Sequence, residues 1–263
     1  MRKGVRDETL AARYADDVAR CAGLLRERGH GVAAFIAEPI LSCGGQVEPP
    51  GGYLAAAFDH IRAAGGVCIA DEVQVGFGRV GDAFWAFELQ GVVPDIVTLG
   101  KPMGNGHPVA AVVTTRAIAD SFANGMEYFS TFGGNPVSCA AARAVLAEIR
   151  ERGLVEHARR VGGGLLGALG ELAVRHALVG DVRGRGLFLG VEIVRDREMR
   201  EPFPEACTHI INRAREMGVL LGVDGPARNV LKVKPPMVFG EDEAALLVET
   251  LDEILGESAL GDG

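Results

Sequence analysis

The stretch Asp95-Ile-Val-Thr-Leu-Gly-Lys101-Pro-Met-Gly-Asn-Gly106 decides how the rest of this sequence is interpreted. A short apolar run ends in a single lysine, and a glycine-rich turn follows the lysine at once. A lysine at the end of a buried strand costs free energy unless its amine has a role, because an ammonium group loses water there. The pattern predicts a strand over 96–99 that presents the amine of Lys101 at its carboxyl end.

Two other apolar runs upstream end in acids. Gly66-Val-Cys-Ile-Ala70 is followed by Asp71-Glu72, thirty residues before the lysine. Val32-Ala-Ala-Phe-Ile-Ala37 reads as a fully buried strand and is followed by Glu38. Such runs are typical of parallel sheets, which bind ligands at the carboxyl ends of their strands. An amine and an acid on neighbouring strand ends suit pyridoxal phosphate, since a lysine binds its aldehyde and an acid keeps its pyridine nitrogen protonated.

The order of the predicted elements indicates the fold class. Helices are predicted over 1–30, 53–64, 136–152, 154–176, 204–217 and 241–255, and strands over 32–37, 66–70, 96–99, 109–114, 186–194, 219–222 and 229–234. Strands that alternate with helices imply an α/β fold with a mostly parallel sheet and helices on both faces. We predict such a domain over 1–152, which would bind the cofactor, and a smaller α+β domain over 153–263.

Composition excludes several classes of function. The 263 residues carry a net charge of −8, which argues against a nucleic-acid-binding face. No apolar run approaches the roughly 20 residues of a membrane span. The five cysteines are scattered without a CxxC pair, which favours the reducing cytoplasm over a disulfide framework. The six histidines show no metal-ligand spacing, so no metal site is predicted.

One glycine motif suggests a different class of protein. Gly76-Phe-Gly78-Arg-Val-Gly81 matches the GxGxxG pattern of dinucleotide-binding enzymes and follows a predicted strand. In those enzymes a helix begins at the motif and its N-terminus faces the pyrophosphate. Here no helix clearly begins at Gly81, and the acids Asp71-Glu72 stand just upstream. Both features argue against a dinucleotide site, and a nicotinamide-dependent oxidoreductase is kept only as an alternative function.

Four motifs together carry a resemblance to a known family. They occur in the family's order and are Ala37-Glu38-Pro39-Ile40, Ala70-Asp-Glu-Val-Gln-Val-Gly-Phe-Gly-Arg79, Pro94-Asp-Ile-Val-Thr-Leu-Gly-Lys101 and Thr131-Phe-Gly-Gly-Asn-Pro136. With them, nearly the whole chain resembles the class-III aminotransferases, which are pyridoxal-phosphate-dependent enzymes of fold type I. The resemblance implies that fold, that cofactor, and a small-molecule amine as substrate.

The resemblance implies roles for residues at matching positions. Lys101 would be the Schiff-base lysine and would also carry the proton, and Asp71 would pair with the pyridinium nitrogen. Val73 would pack on one face of the ring, and Gln74 would hydrogen-bond its 3-oxygen.

Two further positions would lie at the margins of the same site. Thr131 would reach the cofactor phosphate of a neighbouring protomer, which implies a homodimer with its sites at the interface. Glu38 lines the substrate side in the family.

Within the family, the similarity is greatest to the ethanolamine-phosphate and phosphohydroxylysine phospho-lyases. Many family members carry an arginine where Lys232 stands, and that arginine holds the substrate α-carboxylate. Arginine makes a rigid bidentate fork whereas lysine is a point charge. Lys232 therefore favours a substrate without that carboxylate, such as phosphoethanolamine, and the alternative is that Lys232 is simply an exposed residue of its strand.

Within the resemblance three functions stay open: a phospho-lyase, an ordinary transaminase that transfers an amino group to a keto acid, and an inactive remnant or module of a longer protein. Family members carry an N-terminal phosphate-binding turn and an aromatic-His-Gly segment that stacks on the ring. Neither segment is found in this sequence, so we expect a truncated fold with part of the cofactor site missing.

Overall fold

A computed structural model describes residues 9–257, which form two compact units. The first unit comprises 9–39, 49–77 and 85–150, and the second comprises 40–48, 78–84 and 151–257. The two domains predicted over 1–152 and 153–263 stay a prediction. The parts of the predicted helix and of the second domain at 1–8 and 258–263 lie outside the described residues. Within 9–257, no helix is long and apolar enough to cross a membrane.

The first unit is built on a four-stranded sheet in the order β1–β2–β3–β4. Its elements are α1 (Leu10–Glu27), β1 (Ala34–Ala37), α2 (Tyr53–Ala63), β2 (Val67–Asp71), β3 (Ile96–Leu99), β4 (Ala111–Thr114), α3 (Arg116–Phe122) and α4 (Pro136–Glu151). All but α3 were predicted to within a few residues. Sequence reasoning treated 109–114 only as a strand, and the structure pairs β4 antiparallel to β3.

The register of the three parallel strands positions the candidate site. Ala37 of β1 pairs with Ala70 of β2, and Asp71 pairs with Thr98 of β3. Because all three strands run in one direction, their carboxyl ends lie at one edge of the sheet. The residues that follow these ends therefore start from the same edge.

The core of the first unit lies between the sheet and α2. Leu54, Phe58 and Ile61 of the helix pack with Cys68 of β2 and are nearly inaccessible to solvent. The prediction that β1 is fully buried is wrong for the described residues, because Ile36 is 58% exposed. The side of β1 away from this core has too little packed against it to bury a large side chain.

The second unit contains a sheet in the order β5–β6–β9–β8, with β7 paired to β6. Its elements are α5 (Leu154–Arg175), β5 (Val179–Arg185), β6 (Phe188–Asp196), β7 (Glu201–Pro202), α6 (Pro204–Glu216), β8 (Gly222–Asp224), β9 (Val230–Val233) and α7 (Glu241–Leu255). Apolar residues of α5, α6 and α7 pack on this sheet and form the largest buried cluster. Sequence reasoning missed β5 and β7 and placed β8 at 219–222.

Two short segments from the first half of the chain join the second unit through arginines of β5. The guanidinium of Arg183 donates to the carbonyl oxygen of Gly45 at 2.8 Å. Arg185 pairs with Glu48 and with Asp82, each at 2.6 Å. The arginines thus bind residues from both 40–48 and 78–84 to one strand.

Adjacent glycines in α5 give a direct test of the packing in the second unit. A Cβ on Gly162 would overlap the backbone of Gly186, whereas a Cβ on Gly163 would meet nothing within 4 Å. We expect Gly162→Ala to lower the free energy of unfolding by about 1–3 kcal/mol through overpacking. We expect the matched control Gly163→Ala to raise it by about 0.5–1 kcal/mol, because alanine is the better helix former. Urea unfolding followed by circular dichroism measures both, and equal effects would contradict the packing.

Candidate active site

Lys101 lies where the structure departs from regular backbone geometry. It follows β3 after Gly100 and begins a short 3₁₀ helix, Lys101–Gly104, with φ of 39°. Residues other than glycine rarely adopt a positive φ, and such strain concentrates at functional sites. The side chain is exposed. The turn therefore holds the lysine in a costly conformation and presents its amine at the surface of the unit.

The loops after β2 and β3 meet beside this lysine. A Cβ placed on Gly100 would lie 3.7 Å from both methyl groups of Val73, which is ordinary van der Waals contact. The side chain of Val73 therefore lies against the residue that precedes Lys101. The structure brings these two predicted site residues together.

Asp71 ends β2 and shapes the turn that follows. Its carboxylate accepts a hydrogen bond from the backbone N–H of Val73 at 3.0 Å, and its side chain is only partly buried. Asp71 and Thr98 are register partners in neighbouring parallel strands, so their side chains share one face of the sheet. The Thr98 hydroxyl is buried and has no hydrogen-bond partner within residues 9–257. This polar face, beside an exposed amine, suits a heterocycle that has both polar and charged groups.

Glu72, the next residue, has the opposite environment. It is fully buried, and its two carboxylate oxygens accept hydrogen bonds from the backbone N–H groups of Ala86 at 3.0 Å and Phe87 at 2.9 Å. Burial raises the pKa of Glu72 to about 7, although the two amide hydrogen bonds act to lower it, while the charges of Glu88 and Asp71 add to the rise. Sequence reasoning gave Glu72 no role. A second acid directly after a buried strand was the available signal.

The remaining predicted residues of the first unit lie around this edge and on the surface. Glu38 directly follows β1, Gln74 lies in the turn after β2, and both are partly buried. Thr131 is exposed in the irregular segment that precedes α4. The structure thus assigns Thr131 to a different surface segment from the strand ends that carry the other residues.

Lys232 belongs to the second unit, on β9. Its ammonium lies 3.1 Å from a carboxylate oxygen of Asp224, whose other oxygen accepts a hydrogen bond from Gln46 at 2.8 Å. Asp224 was not foreseen as a partner, because eight residues separate it from the lysine and the antiparallel pairing of β8 with β9 brings them together. Lys232 is therefore a paired cation in this structure.

The glycine motif at 76–81 has a packing explanation. A Cβ on Gly78 would lie 2.5 Å from a methyl group of Val155, and a Cβ on Gly81 would lie 2.5 Å from the Cα of Arg159. Both glycines thus allow close approach of α5. The next helical turn begins only at Ala86, so no helix N-terminus follows the motif where a dinucleotide site requires one.

Within residues 9–257, no group of three or more His, Cys, Asp or Glu side chains is placed to hold a metal ion.

Comparison with known proteins identifies relatives along nearly the whole chain. The family model for class-III aminotransferases matches residues 6–255. The Drosophila melanogaster protein named alanine–glyoxylate aminotransferase 2-like is 53% identical over 240 residues, which are 90% of this chain and 49% of that protein. The Caenorhabditis elegans ethanolamine-phosphate phospho-lyase homolog 1 is 46% identical over 254 residues, which are 95% of this chain and 54% of that protein. The chain therefore spans about half the length of these relatives.

Solved structures give the same result for the fold. A phospholyase from Arthrobacter in complex with phosphoethanolamine matches with a TM-score of 0.92 and 41% identity, over 97% of this chain and 61% of that one. A pyridoxal-phosphate-bound amine transaminase from an uncultivated Pseudomonas species matches with a TM-score of 0.86 and 34% identity, over 95% of this chain and 56% of that one. The predicted fold class, the α/β fold of the fold-type-I pyridoxal-phosphate-dependent transferases, is thereby confirmed.

The backbone at Lys101 provides a test of strain that is independent of activity. We expect the Lys101→Gly variant to be more stable to unfolding than the Lys101→Ala variant by about 1 kcal/mol. Alanine keeps the strain of the left-handed backbone conformation, whereas glycine removes it. Thermal or urea unfolding of the two variants gives the difference. A less stable glycine variant would show that the turn does not hold residue 101 at positive φ.

Proposed function

We propose that this protein, whose chain belongs to the class-III aminotransferase family, is a pyridoxal-phosphate-dependent enzyme. We propose that it eliminates phosphate from a phosphorylated amino alcohol. The observation that carries this proposal is the strained Lys101, which follows β3 beside the acid-bearing end of β2. Phosphoethanolamine is the substrate we propose, and the relatives named as phospho-lyases support it.

The residues described above suit this cofactor. When bound, pyridoxal phosphate supplies an electron sink next to the carbon that bears the substrate nitrogen. We assign Lys101 to hold its aldehyde carbon, Asp71 to its ring nitrogen, Val73 to a ring face and Gln74 to its 3-oxygen. Thr131 would bind the phosphate of a cofactor held by a second protomer.

The proposed catalytic steps need two groups of the chain. Once the substrate amine had replaced it at the aldehyde carbon, the free amine of Lys101 would take the proton from the carbon that bears the substrate nitrogen, acting as a general base. Asp71 keeps the ring nitrogen protonated through its negative charge. Phosphate then leaves from the adjacent carbon with the electron pair of its C–O bond. Water converts the remaining unsaturated amine into an aldehyde and ammonia.

The substrate side of the proposal rests on Glu38 and Lys232. We propose that Glu38 lines the substrate site and that Lys232 supports anion binding as a point charge. Since Lys232 is paired with Asp224, its charge is partly neutralised. A pair of this kind is poorly suited to hold an α-carboxylate, for which a bidentate arginine is the usual partner. This argues for a substrate without that group.

Ordinary transamination is the second candidate function, favoured by the relative named as an aminotransferase. In that case Lys101 would return the proton to the cofactor rather than permit loss of phosphate. The product would be a carbonyl compound, and a keto acid would be required to accept the amino group.

One assay separates the candidates. We expect the protein, supplied with phosphoethanolamine and pyridoxal phosphate, to release phosphate and ammonia in equal amounts without a keto acid. We expect Lys101→Ala to lower the rate by about a thousandfold, within the usual range for loss of a general base. Release of a carbonyl product only in the presence of a keto acid would indicate a transaminase, and no turnover with either would indicate a remnant or module.

We also propose a homodimer in which an exposed apolar segment forms part of the interface. Met126, Tyr128, Phe129 and Phe132 are each at least 75% exposed and surround Thr131 in sequence. Contiguous apolar surface of this kind marks interaction sites, whereas single exposed apolar residues are ordinary. We also place the protein in the cytoplasm, because the cysteines within residues 9–257 are free thiols.

The dimer proposal has a matched control in the second unit. Phe132 and Val174 are 82% and 83% exposed, but only Phe132 lies in the apolar segment. We expect Phe132→Asp to weaken self-association and Val174→Asp to leave it unchanged, since a charge at an interface is desolvated on association. Sedimentation velocity over a range of concentrations measures this. A wild-type protein that is monomeric throughout would refute the proposal.

A further inference from the structure

Glu72 occupies a position in the first unit where two chain segments come together. The chain leaves this unit after Phe77 and returns to it at Trp85, since 78–84 belong to the second unit. The carboxylate of Glu72 accepts hydrogen bonds from the backbone N–H groups of Ala86 and Phe87, which directly follow Trp85. The rings of Phe77 and Trp85 meet edge to face, with their centroids 5.2 Å apart. The points at which the chain leaves this unit and re-enters it therefore lie together next to Glu72.

The backbone of Glu72 fixes the turn that follows β2. Its N–H donates to the carbonyl oxygen of Thr98 at 3.0 Å, and its carbonyl oxygen accepts from the N–H of Gly76 at 3.0 Å. A Cβ on Gly76 would approach both the Glu72 carbonyl oxygen and the Trp85 ring to about 3 Å, so the turn is tightly packed. Val73 and Gln74, which we assigned to the cofactor, lie within this turn.

We infer that Glu72 is a positioning residue for the proposed cofactor site, and that its ionised carboxylate holds the turn 72–76 in place through the amides of Ala86 and Phe87. This inference rests on the proposed function, because the turn matters to catalysis only if it contacts the cofactor. The side chain of Glu72 is buried against the segment that contains Ala86 and Phe87, whereas Asp71 is only partly buried.

The charge state decides the strength of this contact. Two amide N–H groups point at two oxygens, and only the ionised carboxylate offers both as full acceptors. The nearby titratable groups that act on Glu72 are the carboxylates of Asp71 and Glu88, and burial is the largest cause of its raised pKa of about 7. Near neutral pH, a small change in pH therefore changes the fraction of protein in which the turn is fully held.

The pH dependence of order in the turn has the opposite sign to the pH dependence of fold stability. Because the folded-state pKa is raised to about 7, the contribution of Glu72 to fold stability is fully present below about pH 4.5 and is lost as the pH rises through 7. The two amide hydrogen bonds change in the opposite direction and strengthen as the pH rises. A loss of order in the turn below pH 7, with the fold retained, is thus specific to the positioning role.

Trp85 is the single tryptophan of the chain and reports on this segment. We expect its fluorescence to change with a midpoint near pH 7 in the wild type, with an unchanged far-ultraviolet circular dichroism spectrum. We expect Glu72→Gln to abolish the transition, because an amide does not titrate. A transition that persists in Glu72→Gln would overturn the inference, as would a wild-type signal that does not change between pH 5 and 9.

Glu88 provides the matched control on the same helical turn. Its carboxylate accepts a hydrogen bond from the backbone N–H of Trp85 at 3.1 Å, so it contacts the residue that carries the fluorophore. We expect Glu88→Gln to keep the transition and to shift its midpoint to lower pH, since the charge of Glu88 raises the pKa of Glu72. Loss of the transition in this variant instead would assign it to Glu88 and refute the role of Glu72.

Binding of pyridoxamine 5′-phosphate links the turn to the site. This compound lacks the aldehyde, so its affinity does not depend on a bond to Lys101. By isothermal titration calorimetry we expect the wild type to bind about tenfold more tightly than Glu72→Gln at pH 8, the scale of one charge-assisted hydrogen bond, and almost equally at pH 6. An equal ratio at both pH values would overturn the positioning role alone. Absence of wild-type binding at both would overturn the proposed cofactor site as well, whatever the Trp85 titration gives.

Discussion

The parallel register of β1, β2 and β3 is the constraint on which the candidate site depends. Asp71 stands opposite Thr98 because β2 and β3 pair in one register only. Side chains alternate between the two faces of a strand, so a slip of one residue would exchange the environments of Asp71 and Glu72. Glu72 would then take the partly exposed position, and the carboxylate of Asp71 would be left in the interior.

The two adjacent acids show how environment separates chemically similar groups. Asp71 is partly exposed and makes one hydrogen bond within its own turn. Glu72 is buried and joins two segments that are distant in sequence. A carboxylate with a raised pKa in an interior is often assigned a catalytic role. We infer instead that Glu72 supports the turn that carries Val73 and Gln74, and we propose the chemical role for the partly exposed Asp71.

Much of the first unit follows from local sequence patterns, and the exceptions have physical causes. Lys101 was recognisable because a strand end, an amine and a glycine-rich turn are adjacent in sequence. Asn135 was recognisable as a helix cap, and its side chain does accept the N–H of Ser138 at 2.9 Å. Strand β5 was missed because charged residues interrupt its apolar pattern and have partners that are distant in sequence, as Arg185 and Glu48 illustrate. The roles of Glu72 and of Asp224 likewise depend on contacts that no local pattern contains.

Strain and exposed apolar surface occur in the same unit, and this bears on how the proposed site is completed. The first unit carries Lys101 at positive φ and also the exposed aromatic residues of 122–132. Holding a strained turn requires surroundings that fix it, and buried contacts supply this better than solvent does. A partner that covered the aromatic segment would bury apolar area near Thr131 and restrict the loops of this unit. If the proposed dimer forms, association and the geometry of the cofactor site are therefore coupled, so that affinity for the cofactor would depend on protein concentration.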